Sequence, residues 1–235
     1  MLVNIASYIP TTIADVVFHS ASEKEKIEDI INGYMPFPFS GKNGILLYGL
    51  WGTGKTTLAK LLPDAIEQGK GGIHSNYFYH ACQQGQNGAA LLNKITQSAA
   101  FVSLTHSGYH YFVLDEVDNL TDAAQASLKS AMNMPQTIFI MTTNHIEKIE
   151  KGVLNRCHLI EFNAAASADW LPLAHRILND MNVTGVADNL LLQVIATCKG
   201  SARDILASIV EVGLKRQRAL QATANKVQIP ANIII

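Results

Sequence analysis

The chain is poor in cysteine, in charge and in long apolar runs. Its three cysteines, Cys82, Cys157 and Cys198, lie far apart with no CxxC pair. That excludes a disulfide framework and suggests reduced thiols in a cytosol-like compartment. The eight histidines form neither an HExxH motif nor a cluster with cysteine, which argues against a structural zinc. The first positive charge after the amino terminus is Lys24, so Met1–Val17 lacks the basic start of a signal peptide. No uncharged apolar run reaches the roughly 18–20 residues of a membrane span, and the apolar Ile233–Ile235 end is far too short. The expectation is a protein of the cytoplasm with no membrane partner, nucleoid-associated or in a host cytoplasm if the source is viral. Eighteen Lys+Arg against 19 Asp+Glu leave a net charge of −1, which excludes a broadly basic protein that coats nucleic acid.

The hydrophobic fraction is 48% of 235 residues, enough to bury a sizeable core in an α/β domain with a small appendage. Short apolar runs rich in β-branched and aromatic residues alternate with helical stretches, the pattern of a parallel sheet with crossover helices. Strands are predicted at Ile45–Tyr48, Tyr77–His80, Tyr111–Leu114, Thr137–Met141 and His158–Phe162. Helices are predicted at Glu23–Asn32, Lys55–Gln68, Gly88–Leu104 and Asp122–Met132, with Pro36–Gly41 as a rigid connector into the first strand. After Asn163 the strands stop. Trp170, Leu173, Ala174, Ile177 and Met181, then Leu190–Cys198, then Ile205–Val210 repeat at helical spacing. They predict a small three-helix lid of about 70 residues. The expected division is residues 1–164 and 165–235, with the tail from Ala222 unassigned.

Gly49-Leu50-Trp51-Gly52-Thr53-Gly54-Lys55-Thr56 fits G-x-x-x-x-G-K-[ST] between a predicted strand and a predicted helix. The glycines let backbone N–H groups turn around phosphate oxygens, and the helix amino terminus adds partial positive charge. Gly49, Gly52, Thr53, Gly54, Lys55, Thr56 and Thr57 are therefore candidate nucleotide-binding residues. Lys55 would reach the terminal phosphates and the Thr56 hydroxyl would ligate Mg²⁺.

Tyr111–Leu114 runs straight into Asp115-Glu116. Two carboxylates at the end of an apolar strand are costly to bury unless a cation or a proton transfer needs them. In a nucleotide site Asp115 would hold Mg²⁺ and Glu116 would polarise the attacking water. The alternative is a solvent-facing acidic pair, as Asp118 and Asp122 nearby show to be common here. The next strand ends in Thr142-Thr143-Asn144, where open α/β sheets bind ligands. Asn144 would bond the γ-phosphate and the lytic water, or it is a turn-forming residue at a strand exit.

These elements together resemble the AAA+ ATPases and, within them, the clamp-loader subunits. Leu114–Lys129, then Thr137–Asn144, then Leu154-Asn155-Arg156-Cys157 are similar to that family's run from Walker B through sensor 1 to its Ser-Arg-Cys motif. Tyr8-Ile9-Pro10 resembles the Tyr-Arg-Pro opening that helps line the adenine pocket, and Gly200-Ser201-Ala202-Arg203 resembles the sensor 2 motif. The resemblance spans about residues 8–210. It implies a P-loop NTPase fold, with a five-stranded parallel sheet flanked by helices and a three-helix lid, that hydrolyses ATP with Mg²⁺. Arg156 would be an arginine finger acting on a neighbour's γ-phosphate, where a cation stabilises charge on the transferring group. Otherwise it is a surface arginine. Arg203 would contact nucleotide from the amino terminus of the last long helix, where an anion would justify a cation set against the dipole; a solvated arginine is the alternative.

Departures stand beside the matches. Ile9 replaces the family's Arg, and Asn155 its Ser. Ser130 and Asn133 stand where the central helix usually carries a second cation and a Glu, leaving Lys129 alone. His80 falls at the polar switch position, though a core-edge histidine is the simpler account. The family implies a pentameric or hexameric ring or spiral, of one chain or of related subunits, acting on DNA in replication with a sliding clamp or helicase. Lys129 and the Gln83–Asn87 loop would face the channel, whereas Lys215, Arg216 and Arg218 are more simply cations completing a last helical turn. Clamp-loader subunits continue into a collar where this sequence stops, so assembly is expected to rely on the ATPase modules, nucleotide, DNA or partners. An ATP-gated adaptor or filament that marks DNA and recruits another protein is the rival expectation.

Overall fold

The computed structural model describes residues 4–84 and 88–227, with side chains described as far as residue 222. Within residues 10–164, five strands form one parallel sheet in the order β2-β3-β4-β1-β5. They are β1 Gly44–Tyr48, β2 Tyr77–Ala81, β3 His110–Asp115, β4 Thr137–Thr143 and β5 Cys157–Glu161. The helices are α1 Ala21–Ile31, α2 Lys55–Gly69, α3 Gly88–Ala99, α4 Asp122–Ala131 and the short α5 Lys151–Asn155.

Strand side chains alternate between two cores, as the period of two requires. Ile45, Leu47, Tyr111, Val113, Ile138 and Ile140 bury against Ile27 and Ile30 of α1 and Leu58, Leu62 and Ile66 of α2. Leu46, Phe112, Leu114, Phe139 and Met141 bury against α3, α4 and α5 through residues such as Leu91, Ile95, Leu128 and Val153. Burial on both faces explains why β1, β3 and β4 read as continuous apolar runs. All the strands point the same way, so every C-terminal strand end emerges on one side of the sheet.

Several sequence expectations need correction. α3 ends at Ala99, not Leu104. Beyond it the Ser103 and Thr105 hydroxyls donate to the Tyr109 carbonyl at 2.9 and 2.8 Å, giving the backbone a non-helical alternative. β3 and β4 extend through the polar residues Asp115 and Thr143, and α5 went unpredicted because five residues give no period to read. Residues 85–87 of the Gln83–Asn87 loop, and residues 228–235 of the tail, lie outside the described residues.

The second compact unit joins residues 4–9 to residues 165–227. Its helices are α6 Leu171–Asp180, α7 Asp188–Thr197 and α8 Ala202–Val227. Residues 1–164 were expected to form one domain, but Ile5–Tyr8 packs in the helical unit. Tyr8 is buried there, its hydroxyl donates to Asp180 Oδ2 at 2.9 Å, and the Arg176 guanidinium lies 5.4 Å from its ring centroid. A buried tyrosine needs a partner for its hydroxyl, and α6 supplies one. Lys215, Arg216 and Arg218 do not close a helix, because α8 continues to Val227; Lys215 instead pairs with Glu211 at 2.7 Å, one turn away. Among the described residues no helix is long and apolar enough to cross a membrane.

Candidate functional site

The residues after β1 wrap into a loop braced by the end of β5. Gly49 has φ +144°, and a Cβ there would meet both Asn163 Oδ1 and the Phe162 carbonyl at 2.6 Å, so only glycine fits. Leu50 N–H donates to Asn163 Oδ1 at 3.1 Å, and the Thr53 hydroxyl donates to the Leu50 and Phe162 carbonyls at 2.9 and 3.0 Å. Gly52 and Gly54 also take positive φ, and Gly54 caps α2 from the left-handed region. Lys55 and Thr56 are thereby set in the first turn of α2, with Thr57 and its helical amino terminus behind the loop. Lys55 is buried, and its ammonium donates to the carbonyls of Gly49, at 3.0 Å, and Leu50. Burial pulls its pKa down to about 8, while the charges of Asp115, Asp118 and Glu116 oppose the shift.

Asp115 closes β3 beside this loop and is buried. Its Oδ1 accepts from the Thr56 hydroxyl at 2.8 Å and from the Thr142 hydroxyl of β4, and its Oδ2 accepts from Tyr79 Oη at 3.1 Å. Glu116 does not share that burial. It adopts a left-handed backbone at φ 57°, ψ 53°, with its N–H donating to Thr142 Oγ1 at 2.9 Å and its exposed carboxylate accepting from Asn119 Nδ2 at 3.2 Å. The two neighbouring carboxylates therefore part company: one faces the Thr56 hydroxyl, the other solvent. A non-glycine residue in this region is uncommon and marks a place where local strain is held by its surroundings. Burial pushes the Tyr79 phenol up to about 12, with the Asp115 charge adding to the shift.

Asn144 follows β4 directly. Because Tyr48 pairs with Thr143 in the register, Asn144 and Gly49 leave adjacent strands at the same level. Arg156 is elsewhere. It precedes β5, and Cys157 pairs with Gly44, the first residue of β1. Five residue steps at about 3.3 Å, about 16 Å of strand, separate Gly44 from Gly49. Its guanidinium is also held at that far end, donating twice to Asn133 Oδ1 at 3.1 and 3.0 Å and once to the Gly152 carbonyl at 2.9 Å. The sheet thus gathers Gly49, Gly52, Thr53, Gly54, Lys55, Thr56, Asp115, Glu116 and Asn144, and places Arg156 at its opposite edge. Pro10 belongs to this sheet-bearing unit; Tyr8 and the exposed Arg203, second residue of α8, belong to the helical one. His80 stacks on Phe78 with ring centroids 6.3 Å apart. Lys129 spends its charge on Glu150 at 3.0 Å.

Residues 45–164 match the model of the ATPase family associated with various cellular activities, AAA. The chain belongs to the AAA family of ATPases. Among its relatives, a replication factor C small subunit 1 from Pyrobaculum arsenaticum is 26% identical over 158 residues, 66% of this chain and 45% of that one. A replication factor C small subunit 2 from Pyrobaculum islandicum is 27% identical over 204 residues, 86% of this chain and 61% of that one. This chain therefore spans about half the length of such relatives. In fold it is similar to the Thermotoga maritima RuvB Holliday junction branch migration motor, with a TM-score of 0.60, 16% identity, and coverage of 93% of this chain and 67% of that one.

The residues of this AAA ATPase fit a nucleotide with a hard cation. Lys55 is a buried ammonium whose hydrogen bonds go to the carbonyl dipoles of Gly49 and Leu50, an arrangement suited to meeting an anion. Thr56 and Asp115 present a hydroxyl and a carboxylate, the oxygen donors that Mg²⁺ takes. A pH dependence follows from Lys55. The ligand binds the ammonium and raises its pKa, so the Lys55 contribution to affinity is flat below about pH 8 and falls towards tenfold per unit above it. Calorimetry with ADP in EDTA, in buffers of different ionisation heat, should show proton uptake near pH 8.5. Uptake of none there would contradict this state of Lys55.

Three contacts at the candidate site escape sequence reasoning: Thr142 on Asp115, Tyr79 on Asp115 and Asn163 on the phosphate loop. Thr142 sits in the polar strand end that the sequence marks, and Asn163 follows the last predicted strand with no signal of its own. Tyr79 looks like any strand aromatic.

Proposed function

We propose that this chain hydrolyses ATP at the interface between subunits of a ring or spiral, in the manner of a clamp-loader subunit. The loop Gly49–Gly54 wraps the phosphates, Lys55 holds the β- and γ-phosphates, and Thr56 and Asp115 hold the metal ion. Bound there, Mg²⁺ supplies positive charge that neutralises the phosphate oxygens. Glu116 takes a proton from the attacking water as its oxygen bonds to the γ-phosphorus, and the bond to the β–γ bridging oxygen breaks with its electrons passing to ADP. Asn144 hydrogen-bonds the γ-phosphate and orients the water. Arg156 of the neighbouring copy stabilises the charge that develops on the transferring group.

One observation carries the intersubunit part: Arg156 lies about 16 Å of strand from its own Gly49 and is tied down on the far side. That placement sets Arg156 apart from its own chain's phosphate loop and supports a role at an adjoining copy's site. DNA as the track, and replication as the setting in the cytoplasm or nucleoid, rest on the resemblance to replication factor C subunits; Lys129 adds little, being engaged by Glu150. A sliding clamp or helicase is the corresponding protein cargo.

The test is ATPase activity across protein concentration, with and without primed or single-stranded DNA. The specific rate should climb with concentration and climb further with DNA. A rate per chain that is independent of concentration down to the monomeric range would overturn the intersubunit site. Extended filaments on DNA with little turnover would favour the adaptor function over the loader.

A further inference from the structure

The β2 edge strand is joined to the candidate metal site by a side chain that none of the nucleotide motifs contains. Tyr79 lies on β2, where Tyr79 pairs with Val113 and Ala81 with Asp115. Two residues along the same face, its hydroxyl reaches Asp115 Oδ2 at 3.1 Å. Lys60, one turn beyond Thr56 on α2, sets its ammonium 4.0 Å from the Tyr79 ring centroid. A cation over the ring holds the ring in place.

We propose that Tyr79 is a positioning residue that orients the Asp115 carboxylate for the metal ion. This role rests on the nucleotide site described above. Asp115 now accepts from three hydroxyls: Thr56, Thr142 and Tyr79. When the Thr56 hydroxyl turns to a cation, Thr142 still holds Oδ1 and Tyr79 still holds Oδ2. The carboxylate is thereby kept in one rotamer, so little ordering is left for metal binding to impose. Groups that hydrogen-bond a metal-ligating side chain typically contribute 10–100-fold to metal affinity.

The site also lends itself to a clean test. Tyr79 is 38% exposed on an edge strand, and Tyr79→Phe removes only the oxygen, leaving the ring beneath Lys60 and no buried cavity. The 235-residue chain, saturated with a non-hydrolysable ATP analogue, is titrated with Mn²⁺, and free Mn²⁺ is read by electron paramagnetic resonance. Tyr79→Phe should weaken Mn²⁺ binding about tenfold. Its affinity for the analogue in EDTA, and its Tm, should stay those of the unaltered chain. Lys60→Ala should shift Mn²⁺ affinity in the same direction by less. Unchanged Mn²⁺ affinity in Tyr79→Phe overturns the positioning role. So does an equal loss of metal-free analogue binding, which would mark a structural effect. If the unaltered chain binds the analogue but gains no Mn²⁺ site, the assignment of Thr56 and Asp115 fails, and the role of Tyr79 fails with it.

Discussion

Arg156→Ala should leave ATP affinity near that of the unaltered chain and lower turnover by about a thousandfold or more, the usual contribution of an arginine finger. The geometry supports the first half of that result, and the proposed intersubunit site the second. The guanidinium lies at the N-terminal edge of β1 and β5, while the phosphate loop leaves the C-terminal edge. Removing it takes nothing from a chain's own phosphate contacts, so binding measured by calorimetry with a non-hydrolysable analogue should be spared. In the proposed intersubunit site it also removes the cation that meets developing charge, so steady-state turnover should collapse. Asn133 offers a neutral oxygen to this arginine, so no carboxylate bond needs breaking before the side chain can swing towards a partner. A variant that lost binding and turnover together would place Arg156 in its own chain's fold instead.

Glu116→Gln should lower turnover by about 100- to 10,000-fold with binding intact, because the amide keeps the shape and loses the base. The structure gives this carboxylate the freedom such a role needs. It is exposed, lightly held by Asn119, and projected from a left-handed residue that turns it away from the buried Asp115. Asp115, by contrast, is enclosed by hydroxyl donors and suited to a stationary ligand. Single-turnover measurement with ATP separates the step: the variant should retain bound ATP uncleaved. Rapid cleavage with slow product release would contradict a base role for Glu116.

How much of this was legible beforehand depended on the length scale of each signal. The three central strands β1, β3 and β4 could be read because burial on both faces leaves unbroken apolar runs such as Ile138–Met141. The phosphate loop was readable because its glycines and Lys55 stand within eight consecutive residues. The ends of elements were not, because capping and side-chain competition decide them, as Ser103 and Thr105 do after α3. Contacts set by register were hidden altogether. Nothing in Tyr77-Phe78-Tyr79 reveals which strand lies beside it, and only the pairing of β2 with β3 brings Tyr79 to Asp115. Likewise the bracing of Leu50 by Asn163 joins residues more than a hundred apart, beyond any periodic pattern. The assignment of residues 4–9 to the sheet-bearing domain failed for the same reason, since the partner of Tyr8 is Asp180.

The shared site is tested most directly by mixing two inactive variants, Arg156→Ala and Glu116→Gln, at equal concentration. Each supplies the half that the other lacks. Where an Arg156→Ala chain's own phosphate loop and Glu116 meet Arg156 of a Glu116→Gln neighbour, a complete site forms. Random assembly makes about one interface in four complete, so ATPase activity should recover to about a quarter of that of the unaltered chain. Activity no greater than the sum of the two variants measured apart would show that the base and the arginine serve a site within one chain.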